Sequence, residues 1–261
     1  MVGVSQRAGI DTYVLFADPR LAHVSSSTVK AIQQEHGFIH DYVPLAVKAA
    51  LEEKLSGQIL IGVTGSVGAG KSTLCAQIEA LGQARGLAVH NIDLDKLAHR
   101  ILQNATSPLH QETCQTLVRR FGEDIQENGQ IVRQRLAARV FGDAQALADL
   151  NQIMAWPMMV SLRKALYGLK GLVLLNGALL AEAQLLPLCN NRVVLVSASQ
   201  QAQNARLAAR AYSPTEAASR LDAQWTSSKK QAVIEAAIAS QGFGQLWSWD
   251  SSDAPDTQHA A

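Results

Sequence analysis

Ile59-Leu60-Ile61-Gly62-Val63-Thr64-Gly65-Ser66-Val67-Gly68-Ala69-Gly70-Lys71-Ser72-Thr73 is the stretch that decides the fold. It opens on a short continuous apolar run and closes on a match to G-x-x-x-x-G-K-[ST]. Helical spacing of apolar residues follows from Lys71 to Ala84. A strand, a glycine-rich loop and a helix in that order make a phosphate cradle. Glycines let the chain curl until successive N–H groups face one anion. The helix adds the positive end of its dipole at the same point. Gly65, Ser66, Gly68, Ala69, Gly70, Lys71, Ser72 and Thr73 are therefore the expected cradle for the phosphates of ATP, with Lys71 reaching the β- and γ-phosphates and the Ser72 hydroxyl ligating Mg²⁺.

Working outward, Val89 to Ile92, Leu172 to Leu175, Val193 to Val196 and Val233 to Ile238 read as further short buried strands, separated by helical stretches. That alternation implies an α/β fold, a parallel sheet covered by helices on both faces. Residues 1–57 read as a small α/β appendage. Thr12 to Phe16 is a candidate strand, Ser26 or Ser27 can cap a helix through about Glu35, and Pro44 opens a second helix that ends before Gly57. In that second helix Val47, Leu51 and Leu55 form the expected buried stripe. One strand and two helices are too little for a core of their own, so this unit must lean on the next. Residues 58–250 form the main unit, and the polar stretch 251–261 reads as a disordered tail.

Composition narrows the function. Of 261 residues 48% are apolar, enough for a sizeable core, and the net charge of +1 gives no field suited to nucleic acid or to an anionic membrane surface. The longest apolar region, Gly171 to Leu188, is interrupted by Asn176, Gly177, Glu182 and Pro187, so no membrane span is expected. The start of the chain shows no apolar run of the kind found in a signal peptide. Cys75, Cys114 and Cys189 are too few and too scattered for a disulfide framework, which suits a reduced, cytoplasmic protein.

Two groups of polar residues point beyond phosphate binding. Asp93 and Asp95 stand where the second strand ends, and the carboxyl ends of strands line the ligand crevice in open α/β sheets. One of them can take the proton of an attacking hydroxyl or support the metal shell, while the other can cap the helix that begins near Lys96. Arg206 and Arg210, four apart, with Arg220 beyond, suit a helical lid that closes over phosphates. The histidines, His99 among them, lack metal-ligand spacing, and Met154, Met158 and Met159 read as core.

Taken together, residues from about Ile59 to Gly242 resemble dephospho-CoA kinase. The resemblance is carried by the phosphate loop, by Asp93-Leu94-Asp95 leading to His99, and by Phe121-Gly122 through Gly129 to Arg133. Glu182 and the run from Arg210 to Arg220 and Gln224 complete it. It implies a P-loop kinase with a helical substrate region and a helical lid, phosphorylating the 3′-hydroxyl of dephospho-CoA with ATP and Mg²⁺. It also implies Asp95 as base, Asp93 in support, His99, Arg133 and Glu182 on the substrate side, and Arg206 and Arg210 over the nucleotide. Trp156-Pro157 and Ala178 look closer to the kinase half of the bifunctional CoA synthase of animals, and the family's late Asp and Asn are replaced near Glu235 and Ser240. Residues 10–55 resemble the C-terminal end of phosphopantetheine adenylyltransferase, through Ser25-Ser26-Ser27 to Lys30 and Val43-Pro44 to Leu51; the nucleotide motif of that enzyme has no counterpart here. Two other readings stay open at this point: another small-molecule P-loop kinase, and a weakly catalytic nucleotide-binding subunit that docks an adenylyltransferase.

Overall fold

The computed structural model describes residues 19–103, 107–140, 142–210, 212–213, 218, 221 and 224–253. Thr12 to Phe16 and Arg220 lie outside them. Five parallel strands form the main sheet in the order β2-β5-β1-β6-β7: β1 (Gln58–Thr64), β2 (Val89–Asp93), β5 (Gly171–Asn176), β6 (Arg192–Ser197) and β7 (Gln245–Asp250). The central strands are apolar on consecutive residues because both faces are covered. Val173, Leu174 and Leu175 are all buried. On one face α3 (Lys71–Ala84) packs Leu74 and Cys75 against Val63, Leu174 and Val196. On the other, α7 (Ala144–Leu166) and α9 (Ser227–Gln241) bring Leu162, Leu166 and Ile234 onto Leu60, Val173 and Val193.

The fifth strand differs from the sequence reading. Val233 to Ile238 is helical, inside α9, and β7 takes the expected place in the sheet. Val233, Ile234, Ala237 and Ile238 recur at one, three and four residues, which is one face of a helix, and Thr226 accepts the Lys229 amide as its N-cap. The true strand, Gln-Leu-Trp-Ser-Trp-Asp, sits at the sheet edge and is largely exposed, so it carries no apolar run to announce it.

Between β2 and β5 the chain builds a helical region. α4 (Leu94–Gln103), α5 (Pro108–Phe121), α6 (Arg133–Val140) and the first half of α7 enclose a second core around Ile101, Leu117, Phe121, Ile125, Leu136 and Met154. A two-stranded hairpin, β3 (Gln126–Glu127) with β4 (Gln130–Ile131), turns at Asn128-Gly129, both with positive φ, and delivers Arg133 to the start of α6.

Residues 19–57 lie on the base of this unit. Ser25, not Ser26 or Ser27, caps α1 (Ser26–Gln34) by accepting the Thr28 amide at 3.1 Å. α2 (Leu45–Leu51) runs on through a π-helical turn at Glu52–Ser56 and stops at Gly57, in the left-handed region with φ 66°. The expected stripe holds only in part: Leu51 and Leu55 are half-buried, but Val47 is 43% exposed, and the most buried face is Leu45, Lys48, Ala49, Glu52 and Ser56. A buried ion pair sits within that face. Lys48 Nζ lies 2.6 Å from Glu52 Oε1 and also donates to Asn190 Oδ1 and Leu188 O, and Asn190 donates to Glu52. Gln33 and Ser56 bond each other, and Arg163 of α7 donates to Glu35 O. The segment is thus tied to the sheet side of the main unit by polar contacts. The other end of the chain departs from expectation too: Ser251, read as the start of a free tail, is buried.

Candidate active site

The carboxyl ends of β2, β5 and β1 lie side by side at one edge of the sheet, where Lys71, Asp93 and Asp95 are within electrostatic reach of one another. β1 runs straight into the loop 65–70, and the loop's shape needs glycine at particular places. At Gly65, φ is 151° and a Cβ would stand 2.1 Å from the Val196 carbonyl oxygen. Gly70, φ 90°, is the N-cap of α3 in a conformation that L side chains rarely adopt. Lys71 Nζ folds back over this loop, donating to Gly65 O at 2.9 Å and Ser66 O at 3.0 Å. Burial lowers the Lys71 ammonium, Asp95 partly restores it, and Lys230 and Arg210 lower it further, to about 8. An incoming phosphate supplies the negative charge that this ammonium lacks.

Asp93 closes β2, opposite Asn176 of β5. Its Oδ1 accepts the Lys96 amide at 2.9 Å, so Asp93 caps α4. Asp95, in the first turn of α4, is exposed to solvent. Burial raises its carboxyl, Lys71 lowers it, Asp93 raises it, and a backbone hydrogen bond from Ala178 and the charge of Arg133 lower it; the balance is above the ordinary carboxylate range. The cap alternative therefore falls on Asp93, and the charges of Asp95 and Lys71 act on each other. His99 follows Asp95 by one helical turn, and its Nδ1 lies 3.4 Å from Arg133 Nη1, so Asp95, His99 and Arg133 share one wall.

Glu182 is placed differently from the rest of the expected substrate residues. It is paired with Lys230 of α9, which is fully buried, and it accepts the Trp225 amide at 3.2 Å. Lys230 also donates to Ala178 O at 2.6 Å. Sequence reasoning missed Lys230. In Lys229-Lys230 the only signal was two adjacent lysines, of which one must turn inward when α9 is a helix, and the helix itself was read as a strand. Gln224, just after the lid segment, accepts the Val67 amide of the phosphate loop at 2.9 Å.

Arg206 was expected above the nucleotide and is found beneath the loop. From α8 (Gln200–Ala209) it is buried, and it donates to Gly68 O at 3.1 Å, Ser251 Oγ at 2.9 Å and Ser251 O at 2.5 Å. Ser251 Oγ in turn donates to Ala69 O at 2.7 Å. Burial of a cation demands such partners, and the loop carbonyls and the residue after β7 supply them. Arg210, the C-cap of α8, remains within electrostatic reach of Lys71. For a metal, the donors at the cleft are hard oxygens, the Ser72 hydroxyl and the carboxylates of Asp93 and Asp95. Among the described residues no cluster of three His, Cys, Asp or Glu could hold a cation unaided. That donor set fits Mg²⁺, which takes few protein ligands and completes its shell with water and phosphate.

Comparison with known proteins agrees with this geometry. Residues 59–243 match the family described as dephospho-CoA kinase. A dephospho-CoA kinase from Shouchella clausii is 32% identical over 188 residues, covering 70% of this chain and 89% of the relative. A dephospho-CoA kinase domain-containing protein from Danio rerio is 31% identical over 189 residues, covering 70% of this chain and 78% of the relative. A crystal structure of a Thermus thermophilus protein superposes with TM-score 0.54 at 26% identity, covering 70% of this chain and 95% of that one. The family match takes in the phosphate loop, the Asp93 to Asp95 segment and the Glu182–Lys230 pair, and on it the chain belongs to the dephospho-CoA kinase family.

Proposed function

We propose a division of roles for the reaction of this family, the ATP-dependent phosphorylation of dephospho-CoA in coenzyme A biosynthesis. The loop amides and Lys71 hold the phosphates. Asp95 accepts the proton of the ribose 3′-hydroxyl as that oxygen attacks the γ-phosphorus. His99 and Arg133 orient the acceptor, and Arg210 approaches the transferring phosphoryl group. Ser72 would hold Mg²⁺, with Asp93 supporting its shell; the ion, when bound, neutralises charge on the phosphate oxygens. Arg206 and Glu182 act from behind, one bracing the loop and the other pairing with Lys230. The observation that supports this reading is the contrast between the two carboxylates: Asp93 Oδ1 accepts the Lys96 amide as the helix cap, while Asp95 makes no such cap and its charge acts on Lys71.

The main unit is proposed to begin at Gln58, after Gly57, with residues 19–57 as a stabilising appendage. That segment is also the natural surface for an adenylyltransferase of the preceding step. Three free cysteines support a reducing, cytoplasmic setting. No helix of the described residues is long and apolar enough to cross a membrane. A coupled assay of ADP release tests the reading: dephospho-CoA should support turnover and nucleoside monophosphates should not. Asp95→Asn should lower kcat by about 10²–10⁴-fold with little change in ATP affinity. If Asp93→Asn is instead the crippling change, the two carboxylates exchange roles.

A further inference from the structure

Ser251 stands beyond the span 59–243 that the family match covers, at a point where the sequence reads as tail, yet it is 4% exposed. β7 carries it there: Ser251 N donates to Ser197 O at 2.9 Å, which continues the pairing with β6. Burying a hydroxyl costs free energy unless its bonds are made, and here they are made to the phosphate loop. Arg206 Nη1 donates to Ser251 Oγ at 2.9 Å, and Ser251 Oγ donates to Ala69 O at 2.7 Å. A hydroxyl that accepts from a guanidinium is polarised and is the stronger donor for it. The same Nη1 reaches Gly68 O at 3.1 Å. The fit is close, since a Cβ at Gly70 would stand 3.0 Å from Ser251 Oγ and 3.3 Å from Arg206 Nη1.

The bond to Ala69 O fixes more than that oxygen. The Ala69 C=O and the Gly70 N–H belong to one peptide, which is planar and trans, so the two point in opposite directions. With the carbonyl held from beneath the loop, the Gly70 N–H is turned to the side away from Ser251. The preceding amide is already used within the loop, where Ala69 N donates to Ser66 O at 3.1 Å. The Gly70 N–H has no acceptor among the described residues. It stands directly before α3, whose dipole favours an anion at that end.

We propose that Ser251, backed by Arg206, is a positioning residue for the phosphate loop: it holds the Ala69–Gly70 peptide with its N–H toward the phosphates before the nucleotide arrives. Binding then loses no free energy to turning that peptide. Ser251 touches neither substrate nor nucleotide in this role. The inference rests on the reading that the loop amides hold the phosphates.

The test uses the full chain with Ser251→Ala. Calorimetric titration with ADP or ATP in the presence of Mg²⁺ should show both Kd values raised about 10-fold, on the scale of one hydrogen bond to a charged group. Such binding is lost equally from ground and transition states. The KM for ATP should therefore rise while kcat stays within about threefold and the KM for dephospho-CoA is unchanged. A serine that only stabilises the fold would lower the melting temperature and leave both Kd values parental, and that result overturns the proposal. A spectroscopic signature separates the inference from the reading beneath it. A chain labelled with ¹³C-carbonyl alanine and ¹⁵N glycine gives amide signals from Ala-Gly pairs, which the sequence holds at 8–9 and 69–70. In the parent, ADP should move the Gly70 proton downfield as its bond to phosphate forms. In nucleotide-free Ser251→Ala the Gly70 signal should be displaced or doubled, because the peptide is no longer held; a single signal at its parental place overturns the proposal. A Gly70 proton that saturating ADP leaves unmoved in the parent refutes the reading itself. A moved one, with parental Kd values in Ser251→Ala, leaves that reading standing and sinks only the inference. If Ser251→Ala does not fold, Ser251→Cys keeps a side chain of similar shape with a weaker donor. It should raise both Kd values about 3- to 10-fold, and parental values there also overturn the proposal.

Discussion

Replacing Lys48 by Met should be among the most destabilising single changes in the chain, although Lys48 is far from the chemistry. Lys48 is 1% exposed and its stem is already packed, so Met fills nearly the same volume and the cavity term is small. What is lost is the ammonium. Glu52, 5% exposed, is left as a buried carboxylate without its cation, and Asn190 Oδ1 and Leu188 O each lose a donor. Breaking one side of a buried pair costs about 3–5 kcal/mol. At about 2–4 °C per kcal/mol for a chain of this size, the melting temperature should fall by about 6–20 °C. Calorimetry measures the fall, and kcat for dephospho-CoA at 25 °C should stay within about twofold, since no proposed catalytic group touches Lys48. Changing Glu52 to Met in the same chain removes the stranded carboxylate. It should recover part of the loss but not all, because the Asn190 amide remains unmet at about 1–3 kcal/mol. A melting temperature within about 2 °C of the parent for Lys48→Met, or a double variant worse than the single, would refute the reasoning.

Lys71→Ala should abolish turnover; a variant keeping more than about a tenth of parental kcat would mean Lys71 contributes under about 1.4 kcal/mol to the barrier. ATP binding should take up protons near pH 8: in the empty loop the Lys71 ammonium titrates at about 8, the bound phosphates raise it, and so ATP affinity falls as pH rises past 8. Titration calorimetry in buffers of different ionisation enthalpy measures the uptake, and none at pH 8.5 would count against it. The same lowered group sets the stability trend: above about pH 8 the unfolded chain holds a proton at this lysine that the folded one does not, so its penalty shrinks as pH rises toward the ordinary lysine range. A chain cut to residues 57–261 should keep near-parental kcat but melt lower, because Asn190 and Leu188 lose their partners on α2; a folded, soluble 57–261 chain without kinase activity would show that the appendage completes the site.

The phosphate loop could be read from sequence because backbone geometry dictates it: glycine is the residue that fits at Gly65, and the flanking strand and helix carry clean periodicities. β7 could not, since an edge strand half open to solvent has no apolar run, while Val233 to Ile238 offered a false one. Asp93 and Asp95 could be recognised as a pair but not told apart, because the choice of cap turns on a side-chain torsion. Lys48, Glu52 and Lys230 were illegible for a plainer reason. Charged residues are presumed to face water, and only the partner across the fold, Asn190 or Glu182, shows that these do not. Arg206 was assigned to the right neighbourhood on the wrong side of the loop, as helical spacing gives a face and not what that face meets.

The Ser251 hydroxyl that closes the underside of the phosphate loop is 182 positions along the chain from the Ala69 carbonyl it bonds. During synthesis the loop leaves the ribosome early and waits for its floor. Arg206 arrives first, without Ser251 to share its donors, and β7 must then add to β6 before Ser251 reaches the loop. A contact of such separation forms late and slowly compared with the local turns around it. Nucleotide should therefore bind weakly to nascent chains that end before β7 and tightly once it has docked, which makes the last strand of the sheet the step that switches the cradle on.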